Sequence, residues 1–130
     1  MNPKNLKYTK DHEWARVEGK NAVIGITEFA AKNLGDIVFV DIPKPGTKLE
    51  KGKTIGVVES VKTVSDIFAP LSGKVVKGNA DLEADPSLAN QDPYGKGWII
   101  EIEMSSKGEA DELMDSAAYD KFCETAGHGH

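Results

Sequence analysis

The amino-acid sequence predicts a mainly β fold, a sandwich or barrel with short flanking helices and a C-terminal helix, on three observations. Short runs rich in β-branched residues recur between Gly, Pro and Asn breakers, the pattern of many short strands. Two of these runs, Thr54-Ile55-Gly56-Val57-Val58 and Val64-Ser65-Asp66-Ile67-Phe68, stand either side of Lys62 like the arms of a hairpin. Helical patterning is confined to a short stretch after Thr27, one turn near Asp85-Pro86, and the C-terminal end.

In chain order, Glu13-Trp14-Ala15-Arg16-Val17 and Ala22-Val23-Ile24-Gly25-Ile26 read as strands joined by the turn cluster Glu18-Gly19-Lys20-Asn21. Thr27 is placed to cap a short helix and Gly35 to end it, with Phe29, Ala30 and Leu34 turned inward. Asp36 to Ile42 is a strand stopped by Pro43. At the hairpin, Ser60-Val61-Lys62-Thr63 lacks the Asn-Gly of a favoured two-residue loop, but a type I turn tolerates it. Gly73 to Lys77 is a further strand. Residues 78–97 are irregular apart from a helical turn begun by Asp85-Pro86, where Pro suits the first helical position. Trp98 to Ile102 returns to the sheet. Asp111 to Met114 and Ser116 to Thr125 read as helix, with Ser116 as the cap of the second segment. Met114, Ala118 and Phe122 share one face, and Tyr119 and Cys123 lie beside it. A pseudo-repeat, Asp-Ile then Pro then Gly, occurs at Asp41–Gly46 and again at Asp66–Gly73. It fits two similar halves related by an approximate two-fold.

A chain of 130 residues makes a single domain with a small core, its ends at 1–5 and 126–130 reading as flexible. No apolar run approaches a membrane span, and Met1-Asn2-Pro3-Lys4-Asn5 has neither signal nor transit character. The expectation is a cytoplasmic protein of bacterial type, or a chain whose leader has been removed, with no membrane partner. A formal charge of −5 repels phosphates and argues against nucleic acid; it suits transient docking on other proteins. The single cysteine, Cys123, forms no internal disulfide. A catalytic thiol wants a histidine base, and of His12, His128 and His130 the last two sit in the terminal tail. Cys/His metal spacing is absent, so no metal is expected, and Cys123 reads as a small apolar residue on a helix face.

Most of the 15 lysines serve only to solvate a surface. Lys62 differs by its setting: a hairpin turn gives a rigid base to a mobile amine. Glu59-Ser60-Val61-Lys62 resembles the lipoyl-lysine motif of lipoyl carrier domains. Four further segments narrow the resemblance to the H proteins of the glycine cleavage system. They are Tyr8-Thr9-Lys10-Asp11-His12-Glu13-Trp14, Ile24-Gly25-Ile26-Thr27, Leu34-Gly35-Asp36-Ile37-Val38-Phe39-Val40 and Asn90-Gln91-Asp92-Pro93-Tyr94-Gly95-Lys96-Gly97-Trp98. The likeness covers about residues 6–125, with its motifs in the expected order. It implies the barrel-sandwich hybrid of lipoyl carriers and a single lipoyl-binding domain, expected to be a monomer.

It also implies a function without catalysis. Lipoic acid is joined as an amide to Lys62. A pyridoxal-phosphate glycine decarboxylase loads the aminomethyl group of glycine onto the arm, and a folate-dependent aminomethyltransferase takes the methylene and releases ammonia. A dihydrolipoyl dehydrogenase reoxidises the arm, and a lipoylating enzyme attaches it. A covalent arm replaces fresh diffusional capture with a high effective concentration, and the cofactor holds the reactivity while the protein positions it. The cationic amine of the cargo calls for a carboxylate and shelter from water. The resemblance points to Glu13 and Asp66, and after them His12, as arm-sheltering residues. Asp66 and Glu59 are also candidate landmarks for the lipoylating enzyme. Trp14 and Trp98 read as core or rim aromatics, and Gly95 and Gly97 as turn residues rather than a phosphate loop.

Five rivals stand beside this reading. A detached lipoyl domain of an acyltransferase is disfavoured by the length, the C-terminal helices and the lack of a flexible linker, and a purely structural interaction module would leave Lys62 unmodified. A relay protein would donate lipoyl or octanoyl groups to 2-oxoacid dehydrogenase subunits. A biotin carrier would place methionines beside its lysine, where this chain has Val61 and Thr63. A Schiff-base enzyme would need Lys62 buried with a lowered pKa, whereas a hairpin tip exposes it.

Overall fold

The computed structural model describes residues 3–127; the readings of Met1, Asn2 and the His128 and His130 tail lie outside the described residues. Strands β1 (Lys7–Tyr8), β2 (Glu13–Glu18), β3 (Asn21–Ile26), β5 (Lys48–Leu49), β8 (Gly73–Gly78) and β9 (Ile100–Met104) form one sheet in the order β1-β2-β3-β9-β8-β5. Strands β4 (Ile37–Val40), β6 (Thr54–Ser60) and β7 (Val64–Phe68) form the other, ordered β4-β6-β7. Neighbouring strands in both sheets are antiparallel. The result is a sandwich rather than a closed barrel. Helices α1 (Glu28–Leu34), α2 (Ala80–Ala84), α3 (Leu88–Gln91) and α4 (Ser116–Gly127) and a 3₁₀ segment (Lys107–Glu112) surround it.

The period-2 alternation of the strands places the core. Ile24 and Ile102 from the larger sheet and Val40, Val58 and Ile67 from the smaller are buried together in one apolar cluster, as expected when one face of each sheet is turned inward. A second cluster covers the outer side of β1–β3, where Tyr8, Trp14 and Tyr119 are fully buried. Tyr8 and Tyr119 stack with centroids 4.6 Å apart, which ties α4 to the sheet. Trp14 lies across Gly25, its register partner on β3. A Cβ at Gly25 would come within 2.7 Å of the indole.

The pseudo-repeat has a structural meaning. Each Asp-Ile-Pro-Gly stretch is where the chain leaves the small sheet for the large one, β4 to β5 in the first case and β7 to β8 in the second. Proline lacks the N–H a ladder needs, so it suits the crossing and not the strand.

Several element readings need correction. On α1 the expected Ala30 and Leu34 do pack against the core and Phe29 meets the His12 ring, all three half-buried, but the fully buried residue is Ala31, which the sequence reading did not include. Asn79 caps an extra helix, α2, by accepting from the Asp81 amide, whereas the expected helical turn begun by Asp85-Pro86 is present, with the Leu88 and Ala89 amides donating to the Asp85 and Pro86 carbonyls, and runs on into α3. In place of the predicted Asp111–Met114 helix, a 3₁₀ segment begins four residues earlier, at Lys107, and ends at Glu112. Asp115, not Ser116, caps α4: its carboxylate accepts from the Ala118 amide at 2.8 Å. Ala118 is exposed, and Tyr119 with Phe122 turns inward instead. An alanine contributes too little apolar surface to decide a helix face when two aromatics compete with it.

Candidate functional site: the Lys62 turn and the Glu13 cavity

The turn between β6 and β7 is braced from inside and from outside. Within it, the Ser60 amide donates to the Thr63 carbonyl at 2.8 Å, closing a tight turn. Ser60 is buried, and its Oγ accepts from the amides of Lys62 (3.3 Å) and Thr63 (3.1 Å). From outside, the Val61 amide donates to the Asp36 carbonyl at 3.0 Å. The segment around Asp36 is itself clamped by Asn90, whose Oδ1 accepts from the Ile37 amide (2.9 Å) and whose Nδ2 donates to the Gly35 carbonyl (2.8 Å). Lys62 thus rises from a pedestal anchored to α1 and α3.

The Lys62 side chain is exposed and lies over Gly35. Gly35 takes φ +81°, and a Cβ there would sit 3.3 Å from Lys62 Cε. Glycine at this position therefore both ends α1 and leaves room for the lysine stem. Among the described residues no ion pair engages Lys62. An exposed, unpaired primary amine on a rigid turn has the chemistry that amide attachment of a carboxylic acid such as lipoate requires, and the residues present fit that group.

Glu13 opens β2 and is only 2% exposed. Its carboxylate accepts from Thr9 Oγ1 at 2.7 Å and from the Phe68 amide on β7 at 3.1 Å. Burial is the main force on its acidity and raises its pKa to about 7; Asp11 adds to the rise, and the two hydrogen bonds oppose it. It lines a cavity of about 260 Å³ whose apolar wall includes Ala69, Pro70, Leu113 and Met114.

The three arm-sheltering candidates occupy different places. Asp66 is exposed on β7, in register with Val57. It lies between the Lys62 turn and Phe68, so Val64, Asp66 and Phe68 alternate onto one face of β7 that runs roughly 14 Å from the turn towards Glu13. Asp66 does not line the Glu13 cavity. His12 turns elsewhere: its backbone takes φ +67°, its ring stacks on Phe29 at 4.5 Å, and Nδ1 meets the Tyr119 hydroxyl at 2.7 Å. Burial lowers the His12 pKa, against the pull of Asp11. The same Tyr119 hydroxyl reaches the α1 cap at Thr27 Oγ1, 2.7 Å away, so His12 links β2, α1 and α4. Trp14 donates from Nε1 to the Pro93 carbonyl at 2.9 Å, and the Gly95 and Gly97 amides both donate to the Asp92 carbonyl.

Sequence reasoning did not reach Thr9, Asn90, Lys51 or Glu112. Thr9 carries a local signal, four residues before Glu13. Lys51 and Glu112 are separated by 61 positions, and nothing in the sequence links them. Among the described residues no group of three His, Cys, Asp or Glu side chains is placed to hold a metal, and no helix is long and apolar enough to cross a membrane.

Comparison with known proteins agrees with this geometry. A solved structure, that of a glycine cleavage system H protein from Mycobacterium marinum, superposes with a TM-score of 0.85 at 36% identity, covering 97% of this chain and 99% of that one. The glycine cleavage system H protein of Symbiobacterium thermophilum is 57% identical over 92% of this chain and 94% of its own length. A mitochondrial relative from Arabidopsis thaliana, glycine cleavage system H protein 2, is 51% identical over 93% of this chain and 78% of its own. The model of the glycine cleavage H-protein family matches residues 6–126. With a match of that extent, the chain belongs to the glycine cleavage H-protein family.

Proposed function

We propose that Lys62 is the attachment point of a lipoyl arm and that β7 guides the arm between the turn and the Glu13 cavity. The chain is a lipoyl carrier of glycine cleavage and not a catalyst. The observation that carries the assignment of Lys62 is its unpaired amine on a turn fixed by Ser60 and by the Asp36 carbonyl. When bound, the lipoyl group supplies a reactive disulfide that takes up the aminomethyl group of glycine. The chain's own residues do the rest. Lys62 holds the arm at a fixed origin, and Gly35 leaves space for the stem. Glu13 offers a buried negative charge to the cargo's amine, beside an apolar wall of Ala69, Pro70, Leu113 and Met114 that would limit its contact with water. Thr9 and the Phe68 amide aim the Glu13 carboxylate. Asp66 provides an exposed carboxylate along the way.

This reading names the glycine decarboxylase, the aminomethyltransferase, the dihydrolipoyl dehydrogenase and a lipoylating enzyme as partners that approach the Lys62 turn. Peptide mass mapping of protein from its native host should find a lipoyl amide on Lys62 alone. Lys62→Arg should abolish it and leave the melting temperature nearly unchanged, since the side chain is exposed. A lipoyl group on another lysine would refute the assignment.

A further inference from the structure

The cavity that holds Glu13 also has lysines on its lining, Lys51 and Lys10. A cargo amine and a lysine amine are chemically alike, so either can serve as the counter-charge of a buried carboxylate. A lysine has a flexible four-carbon stem, and Lys51 and Glu13 line the same small space. Yet the Lys51 ammonium is not on Glu13. It donates to Glu112 Oε1 at 2.7 Å, while among the described residues the Glu13 oxygens receive neutral donors, Thr9 Oγ1 and the Phe68 amide.

The arrangement that sets this pairing is built from several contacts. Lys51 lies in the turn between β5 and β6, where its amide donates to Ser72 Oγ at 2.9 Å. Ser72 is in turn bound by the 3₁₀ segment: Glu109 accepts from the Ser72 amide (2.7 Å) and from its hydroxyl (3.0 Å). Glu109 therefore fastens the 3₁₀ segment over the turn, and Glu112, three residues on, is brought to the Lys51 amine. The pair is too exposed to add much stability, with Glu112 67% accessible. Its place on the cavity lining gives it another use.

We propose that Glu112 restrains the Lys51 ammonium, keeping it off Glu13 so that the buried carboxylate remains free for the amine of the cargo. The purpose rests on the reading of Glu13 as the cargo's counter-charge; the restraint itself rests only on the ion pair and the shared cavity. Lys10, the other amine on the lining, is exposed, next to Asp11. It leaves Lys51, only 29% accessible, as the amine to be kept back.

A mutant cycle on the unlipoylated protein tests this, with the titration of the Glu13 side-chain carboxyl followed by carbon NMR. Glu112→Gln should release Lys51 towards Glu13 and lower the Glu13 midpoint by about one pH unit, the effect of a cation arriving beside a carboxylate. In the Lys51→Met background the same Glu112→Gln change should leave the midpoint where Lys51→Met put it, because no amine remains to arrive. An equal drop in both backgrounds would overturn the proposal, since Glu112 would then act only as a distant charge. So would no drop in either. For the purpose, the loaded carrier should lose its aminomethyl group severalfold faster in Glu112→Gln and regain the slow rate when Lys51→Met is added. If Glu13→Gln itself lost cargo at the wild-type rate, the cargo role of Glu13 would fall, and the restraint on Lys51 would still be judged by the titration.

Discussion

A carboxyl group held in an apolar cavity is in tension with its own ionisation, and Glu13 makes that tension measurable. Its pKa in the folded protein, about 7, lies above the ordinary 4.5, chiefly through burial. The folded state therefore holds the proton more tightly than the unfolded state does. The stability associated with this group is complete below about pH 4.5 and is lost as pH rises to about 7. The full loss corresponds to about 3 kcal/mol as an upper figure. Glu13→Gln cannot ionise and avoids the loss. Relative to wild type, its melting temperature should climb by several degrees between pH 5 and pH 8 and level off above about pH 7. Parallel pH curves for the two proteins would contradict this account of Glu13. On the proposed function the same group faces the cargo, whose cationic amine would favour its ionised form. Glu13→Gln should therefore hasten loss of the aminomethyl group from the loaded carrier. Asp66→Asn should do so to a smaller degree, because the exposed Asp66 is screened by water. Decay at the wild-type rate in both variants, read by formaldehyde release, would remove the sheltering role.

Among the elements, the Lys62 turn depends on a residue far from it in sequence. Asn90, next to the end of α3, holds the Gly35–Ile37 segment by two hydrogen bonds, and that segment accepts from Val61. Asn90→Ala leaves the Ile37 amide and the Gly35 carbonyl without those partners, at a cost of about 1–3 kcal/mol. Amide exchange at Ile37 and Val61 should quicken and lipoylation should slow; unchanged protection of Val61 would disconnect Asn90 from the turn. This chain of contacts also shows what was legible in the sequence. The hairpin arms, the Thr27 cap and the stop at Gly35 were readable because each depends on a few adjacent residues. The short strands β1 and β5 were not, since two residues carry no period and form only where a longer neighbour offers its edge. Asp115 displaced Ser116 as the α4 cap because the two are both good caps, and only the packing of Tyr119 against Tyr8 decides where the helix begins. At the site, Glu13 and Lys62 sat in recognisable motifs. Lys51 and Glu112 meet only through the fold, so no local pattern signals them.

For the molecule as a whole, charge and exposed apolar surface are gathered around the lysine. Phe39, Glu59 and Val64 form one row across the three strands of the small sheet, with Phe39 49% and Val64 60% exposed. Asp36, Asp41, Glu59 and Asp66 are exposed on or beside this sheet, and among the described residues none of them is in an ion pair. The whole chain adds to the negative field, with 21 carboxylates against 16 basic residues. A carrier must let go of each enzyme it visits, so its docking should rely on steering and a small contact rather than on a large dry interface. Steering between exposed charges is screened over about 8 Å at physiological ionic strength, and complementary charge acts first on the rate of encounter. Raising the salt concentration should therefore raise the apparent Michaelis constant for the lipoylated carrier severalfold. The glycine decarboxylase is the partner in which to measure it, since it meets the empty arm first. Glu59→Gln should weaken the salt dependence without changing the melting temperature, because Glu59 is exposed and among the described residues its carboxylate is in no ion pair. A constant indifferent to salt with all three glycine cleavage partners would rule out electrostatic docking and leave the carrier role intact. Full glycine turnover with Lys62→Arg in place of the lipoylated protein would rule out the lysine itself.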